Sequence, residues 1–542
     1  MPFLAQEHLP IPNKDILSWI YDEPTYDQDK PIYIDAYNPS NSISASQAKK
    51  LIRQLVAGLK KAGLQKGDTV LIHSFNNIYY PVIVLAITGF GGVFTGTNPG
   101  YTAGELKHQI QASATKFVIA EPEILTNIEP AANEKGVTKD KILILDAANQ
   151  PLPEGYQSWR TLLNHGEADW ERFNDQETSQ NTTAMLLFSS GTTGLPKPAI
   201  LSHANHVAQH TLMFEHRARP YTLSRLIALP MFHAATTPST CVSPLRSGHI
   251  QVVMKRFDVP TFLDFAEKYQ ITDLTLVPPM VTAIVSSPLP IEVKKQKLRF
   301  IKHAMAGAAP LDKLMQARFQ ALMSDEGVFT QVMGMTETCC FAAVLYYPEN
   351  DDTGSVGRFM PNMDVKLIDD DGNDITGYNK RGELCVRGPN VIKGYGGIPR
   401  ERDFDSDGYF RTGDVLYCDE ETKLWYIVDR KKELIKVRGF QVAPAELEGV
   451  LLDHPKVLDA AVIGLPTAQG DSELPRAYVI KKPGQESLGE QEVAKWVEER
   501  LAKYKRLEGG VKFVETIPKT ASGKILKRFL REQAKKEMGA KL

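Results

Sequence analysis

Short β-branched or aliphatic runs alternate with helical patterns through the first three hundred residues, and this alternation limits the folds open to the chain. The runs are "DTVLIHS" (68–74), "TKFVIA" (115–120), "KILILD" (141–146), "TAMLLFSS" (183–190), "SRLIALP" (224–230) and "TDLTLVPP" (272–279). Each is too short for a helix and is bounded by turn residues. Helical stretches such as 45–63 lie between them, with Leu51, Ile52, Leu55, Val56 and Leu59 on one face. Strands separated by helices fold as a parallel or mixed sheet covered on its faces, so the expectation is an α/β fold.

After about residue 350 the pattern changes. "DVKLIDDDGNDI" (364–375), "GELCVRG" (382–388) and "KLWYIVDR" (423–430) read as short strands joined by Asp/Gly turns, hence a β-rich subdomain over about 350–430. From Lys431 onward the segments 459–466 and 476–482 and a helical pattern over 490–506 predict a small α+β domain. In that helix Val493, Trp496, Val497, Leu501 and Tyr504 share a face. The charged stretch 428–441 marks the boundary, giving a large domain over 1–430 and a small one over 431–542. A chain of 542 residues exceeds one ordinary core, which agrees with two domains.

Composition removes several function classes. The net charge of −2 gives no basis for nucleic acid or an anionic membrane as partner. The apolar stretch 81–96 is short and broken by glycines, so it reads as buried helix and turn rather than a membrane span. Five cysteines without a CxxC pair suggest a reducing compartment and no structural zinc. The N-terminal residues lack a basic region and a long apolar segment, so secretion is not expected. Ala540, Lys541 and Leu542 match an SKL-type peroxisomal address, which implies an import receptor as partner; without it the expected place is the cytoplasm.

"FSSGTTGLPKPAILSH" (188–203) carries the first chemical signal. Gly191 and Gly194 let the backbone approach a ligand closely. Ser189, Ser190, Thr192 and Thr193 offer hydroxyl donors and Lys197 a mobile cation, a set that suits the phosphate tail of a nucleotide. The Walker A spacing is absent, so a P-loop NTPase does not fit.

Six further stretches follow in order: "LPMFHA" (229–234), "GAAPL" (307–311), "QVMGMTET" (331–338), "YFRTGD" (409–414), "VDRKKELIKVRGFQVAPAELE" (428–448) and "PKTASGKILKR" (518–528). Together the seven resemble the adenylate-forming superfamily, which includes acyl- and aryl-CoA ligases, firefly luciferase and peptide-synthetase adenylation domains. The resemblance spans roughly 40–530, and the hinge stretch is most similar to 4-coumarate–CoA ligase and luciferase. It implies an ATP-dependent ligase that makes an acyl-AMP, releases pyrophosphate, then transfers the acyl group to coenzyme A.

Residue roles are also implied by the resemblance. Ser189, Ser190, Gly191, Thr192, Thr193, Gly194 and Lys197 would cover the β- and γ-phosphates. Thr336 matches an α-phosphate contact and Glu337 a Mg²⁺ ligand. Ala309 and Gln331 match the adenine wall. Asp414 matches the acceptor of both ribose hydroxyls, with Arg430 its basic partner. Lys524 matches the lysine bridging the substrate carboxylate and the α-phosphate. His233 matches a residue gating the acyl pocket beside the carboxylate, with Ala235, Gly307 and Gly334 lining that pocket. Lys432, Lys436 and Gln441 match residues near the adenylate. Arg256, Arg438 and Gly439 match the coenzyme A side. In this superfamily the small domain rotates between the two half-reactions.

The chain departs from the pattern in places. Pro198 stands where glycine is usual, and Val332 and Met333 stand where the superfamily commonly has Gly-Tyr, so aromatic packing on adenine is not supported. Ala234 and Ala235 stand where coumarate ligases carry a larger residue and a tyrosine, so coumarate specificity is not supported. The apolar "TCCFAAV" (338–344) after Glu337 points to a hydrophobic acid: medium-chain, aryl-alkyl or polyketide-derived. Two alternatives share the fold: a stand-alone adenylation enzyme loading a carrier protein, and a luciferase-like monooxygenase. A nucleotide sensor without catalysis is a third, opposed by the intact Lys524, Glu337 and Asp414.

Overall fold

The computed structural model describes residues 3–189, 195–309, 311–438, 440–467, 472–520 and 523–539. Two seven-stranded sheets form the large lobe. In the first, strands Val328–Gln331, His303–Ala306, Asp273–Leu276, Ser224–Ile227, Ile250–Val253 and Pro31–Asp35 run parallel in that spatial order, closed by the antiparallel Ser42–Ser44. In the second the order is Gln157–Ser158, Ile142–Ile144, Thr115–Ala120, Thr69–His73, Val93–Thr97 and Thr183–Ser189, with Lys197–Ser202 antiparallel at the edge. All six runs singled out in the sequence are central members of these sheets. Their apolar character follows from helices covering both faces.

The helix Ala45–Lys61 starts at Ser44, whose hydroxyl accepts from the Gln47 N–H while the Gln47 side chain returns the bond. This reciprocal cap fixes the start, and Ile52, Leu55, Val56 and Leu59 are buried on one face, with Leu51 half-buried at its edge. The stretch 81–96 divides differently from the expectation. Its first part is the buried helix Tyr80–Phe90, but its second part is the strand Val93–Thr97. Gly91, at φ +84°, ends the helix between them, as a left-handed cap residue can. No helix among the described residues is long and apolar enough to cross a membrane. All five cysteines are buried and unpaired.

Residues 364–430 form a four-stranded antiparallel sheet, Asp364–Ile368, Gly382–Arg387, Phe410–Cys418 and Trp425–Arg430. The chain then enters a two-stranded ribbon, Ile435–Val437 with Phe440–Val442, and the small lobe. That lobe has the sheet Val457–Pro466, Glu473–Lys481 and Val511–Phe513 and the helices Pro444–Leu452, Glu490–Glu498 and Lys527–Gly539. The helix expected over 490–506 stops at Glu498; a separate short turn, Lys503–Lys505, places Tyr504 against Phe440 of the ribbon.

A buried ionic cluster holds the junction together. Lys527 Nζ lies 3.0 Å from Glu448 and 3.6 Å from Glu433. Asp429 accepts from the Ala445 N–H, tying the last strand of the large lobe to the start of the helix Pro444–Leu452. Burial pushes the Glu448 carboxyl above the usual carboxylate range, and the Lys527 ammonium pulls it back. Removing one partner strands the others in a poorly solvated site. Lys527→Met is therefore expected to cost about 3–5 kcal/mol, read as a lower urea midpoint for the small lobe. An unchanged midpoint would show that the carboxylates are neutral or hydrated there.

Candidate active site

Several candidate residues follow the carboxyl ends of parallel strands, with Gly307 after His303–Ala306, Thr336 and Glu337 after Val328–Gln331, and His233 after Ser224–Ile227. Each reaches the cleft for a local reason. The strand Val328–Gln331 ends and Met333–Met335 turns into a short 3₁₀ segment, Thr336–Thr338, which buries Thr336 and Glu337. Gly334 is required here: a Cβ would stand 2.1 Å from the Cys340 carbonyl oxygen across the hairpin. Gly307 has a similar constraint, since a Cβ would meet Val332 Cγ2 at 2.9 Å. The loop after it carries Ala308 at φ +70° and half-buried Ala309.

Asp414 and Arg430 are direct cross-strand partners, and Arg430 Nε sits 3.1 Å from Asp414 Oδ1. Burial pushes the Asp414 carboxyl above its ordinary range, opposed by the charges of Arg430 and then Lys524. The small lobe thus delivers a cation to a pair built entirely in the large lobe. Lys524 follows Gly523 in a tight loop, in which the Thr520 N–H donates to the Lys524 carbonyl and the Lys524 N–H to the Thr520 hydroxyl. Burial and the neighbouring Arg430 guanidinium push the Lys524 ammonium down to about 8, while Asp414, Glu433 and Glu337 act the other way.

His233 completes the group. Its Nδ1 accepts from the Ala235 N–H at 3.1 Å, which leaves the ring proton on Nε2. Burial lowers its pKa to about 4, with Glu337 raising and Lys524 lowering it, so the ring is neutral near pH 7 and lies within the field of both groups.

Two residues of this site have no signal in local sequence pattern. Tyr395 donates its hydroxyl to Glu337 Oε1 at 2.5 Å, and Lys197 Nζ lies 4.8 Å from the Tyr395 ring centroid. Asp403 is 3.8 Å from the same ammonium. Lys197 is thereby held over the tyrosine that orients Glu337, and Ser189 also bonds Tyr395. Pro198 acquires a reason as well. It lies on the edge strand, where no ladder donor is needed, and packs on Gly396, whose N–H donates to the Pro198 carbonyl.

Other residues expected at the site stand elsewhere or serve it indirectly. The Gln331 amide bonds the Leu311 N–H, the Leu311 carbonyl and Gln316, so its side chain is committed to Leu311 and Gln316. Lys432, Lys436, Arg438 and Gln441 are exposed, and the structure does not bring them to the Lys524 cluster. Arg438 pairs with Glu508 at 2.6 Å, and Gln441 bonds Asp370. Arg256 is exposed and lies over the Phe75 ring. Ser190, Gly191, Thr192, Thr193, Gly194, Gly439, Ala540, Lys541 and Leu542 lie outside the described residues.

The electrostatics give a direct pH dependence. The depressed pKa of Lys524 means that its positive charge is lost as pH rises through about 8. The kcat/KM of any reaction that relies on this charge should fall above pH 8 with a slope approaching tenfold per unit. Lys524→Arg, which stays charged, should remove that limb. An identical alkaline limb in the variant would assign the titration to another group.

The family model described as "AMP-binding enzyme" matches residues 22–396, and "AMP-binding enzyme C-terminal domain" matches 446–524. "Phenylacetyl-CoA ligase epaB" of Aspergillus niger is 50% identical over 537 residues, covering 98% of this chain and 99% of its own. "Acyl-CoA ligase azaF" of the same species is 49% identical, covering 98% and 100%. ATP-bound MatB from Rhodopseudomonas palustris superposes with a TM-score of 0.83 at 26% identity, covering 96% and 98%.

Proposed function

Because this chain belongs to the AMP-binding enzyme family, we infer that the cleft between its lobes joins a carboxylic acid to AMP and then to coenzyme A. It is an ATP-dependent acyl-CoA ligase of the acid–thiol class. The observation that carries the mechanism is the convergence of Lys524 from the small lobe on Asp414, Arg430, Glu337 and His233 of the large lobe.

The physical difficulty is the repulsion between a carboxylate and a triphosphate. Lys524 answers it as a cation placed where the two meet, bridging the carboxylate and an α-phosphate oxygen. The neutral His233 presents Nε2–H to the same carboxylate, holding an oxygen in line with the phosphorus; no proton need be removed, since the acid is already ionised. Asp414 accepts from the ribose hydroxyls, with Arg430 keeping it ionised, and Thr336 offers its hydroxyl to the α-phosphate. Lys197 attends the departing pyrophosphate.

A divalent magnesium ion fits the donor set. Among the described residues no cluster of three or more ligating side chains exists. Mg²⁺ commonly takes one carboxylate plus phosphate oxygens and water, and Glu337, oriented by Tyr395, supplies that carboxylate. When bound, it would neutralise charge on the leaving phosphates.

The exposed position of Lys436, Gln441 and Arg438 supports two working faces of the small lobe. With Lys524 docked, the ribbon faces solvent; rotation about 431–434 would exchange them for the thioester step. The substrate proposed is an acid with a largely apolar acyl group, since Cys340, Phe341 and Ala342 behind Glu337 are buried and the family relatives include a phenylacetyl-CoA ligase. Pyrophosphate release across a panel of aryl-alkyl and medium-chain acids, with and without coenzyme A, tests the reading. Acid-dependent release with thioester formation is expected. Release that never yields a thioester would instead favour loading of a carrier protein or a luciferase-type oxidation. We also propose, from residues 540–542 alone, delivery to peroxisomes. A tagged chain lacking them should spread through the cytosol, and unchanged puncta would reject the address.

A further inference from the structure

The amino ends of three neighbouring parallel strands meet at a second cavity. Lys30 precedes Pro31–Asp35, His249 precedes Ile250–Val253 and Leu223 precedes Ser224–Ile227, and the three strands lie side by side in the first large sheet. His233 follows the other end of Ser224–Ile227, so the cavity and the cleft lie at opposite edges of the sheet, about 13 Å of strand apart at about 3.3 Å per residue. The cavity holds about 380 Å³, within the usual range of about 300–1,000 Å³ for a small-molecule pocket. It opens to solvent past Arg217, Ala218 and Thr222, all exposed. Gly248 lets its floor close up, since a Cβ there would stand 3.1 Å from Lys30 Nζ and 2.7 Å from the Tyr26 ring.

The charges around this cavity do not balance. Four cations line it, Lys30, Arg217, Arg219 and Arg246, against the single carboxylate of Glu215. Glu215 is already held by Arg246, whose Nε lies 2.9 Å away. Arg219 has its Nε 3.6 Å from Asp273, but Asp273 is also the cross-strand neighbour of buried Arg225, so two guanidinium groups share one carboxylate. Among the described residues Lys30 and Arg217 form no ion pair and instead lie 5.1 and 5.7 Å from the centroids of Tyr26 and Tyr346. His249, on the cavity wall, has its Nδ1 buried without a hydrogen-bond partner among the described residues. Burial and then the charges of Arg225, Arg219 and Lys30 push this ring down to about 3, so it stays neutral in a positive field. Cations gathered in a recess repel one another, and an anion among them offsets that cost.

We propose that this cavity is a binding site for a small organic anion carrying at least two negative charges, as a phosphate ester or a polycarboxylate, separate from the cleft between the lobes. Guanidinium groups present paired donors that match the oxygens of either group, and Lys30 adds a point charge. The uncharged part of the wall, Phe214, Tyr221 and Leu223, gives the organic body a surface to pack on. A lone inorganic ion would leave most of the volume unfilled. The site does not depend on the ligase reading, because no residue of the Lys524 cluster lines it.

The test titrates the full-length protein in a calorimeter at constant ionic strength with phenyl phosphate, with citrate and, as a neutral body, with benzyl alcohol. At least one of the two anions should bind with a Kd below about 1 mM, and benzyl alcohol should not. Which anion binds tells whether the pocket takes a phosphate ester, a polycarboxylate or both. Lys30→Gln combined with Arg217→Gln should weaken that binding by about 10-fold or more, the scale of one lost hydrogen bond to a charged group. Lys524→Ala, which alters the cleft, should leave it unchanged. Arg217→Gln alone, at an exposed position, repeats the comparison if the paired variant does not fold. Absence of saturable binding by both anions overturns the proposal, as does equal binding of benzyl alcohol. So does binding that persists in the Lys30→Gln and Arg217→Gln variant, or that Lys524→Ala removes, since the anion would then sit in the cleft.

Discussion

Replacing Lys524 with alanine is expected to slow acyl-AMP formation by about 10²–10³-fold or more, yet to leave transfer from a supplied acyl-AMP to coenzyme A near the unmodified rate. The magnitude is that of removing one preorganised donor to a transition state, about 2.7–4 kcal/mol. The asymmetry comes from the structure. Lys524 shares a field with Asp414, Arg430, Glu337 and His233, all of the large lobe, while Lys436 and Gln441 on the ribbon are turned to solvent. A residue engaged only when one face of the lobe is docked can matter only for the step that face performs. Single-turnover measurement of each half-reaction separates them, and equal loss in both would refute the two-face account.

Gly523→Val is expected to give the same asymmetric defect without touching a charged group. Gly523 has φ +81°, and a Cβ there would stand 2.5 Å from Pro279 Cγ and 2.7 Å from its Cδ. Pro279 belongs to the helix Pro278–Ser286 of the large lobe, so the clash is between lobes. Valine is strained in this backbone conformation by about 1–3 kcal/mol and cannot dock against a rigid proline ring. The loop must withdraw, taking the ammonium out of the cleft, and adenylation should fall by at least about 10²-fold. Pro279→Ala in the same chain should restore part of the loss. Normal adenylation by Gly523→Val would mean that this contact is not made during the reaction.

These two residues differ in how far the sequence exposes them. Lys524 is announced by its motif, and its role needs only a reachable cation. Gly523 is legible as a glycine beside it, but its partner is not: nothing in residues 518–528 points to Pro279. The same holds for Glu337, named from "GMTE", and Tyr395, which orients it from 58 positions away. Gln331 shows the opposite case. Its position was legible, but its amide is spent on the Leu311 loop, a commitment set by packing. The stretch 81–96 was misdivided because a buried helix and a buried strand are both uniformly apolar, so periodicity carries no distinction there.

The order of the strands and helices and the two-lobed division follow from the chain's local pattern, because periodicity and turn residues act over a few neighbouring positions. Folding decided which charges meet. Lys527 with Glu448, Lys197 over Tyr395 and Arg225 beside Asp273 are set by distances between segments remote in sequence. The worth of each of those groups depends on the water it has lost, and burial is a property of the packed molecule rather than of any short stretch of residues.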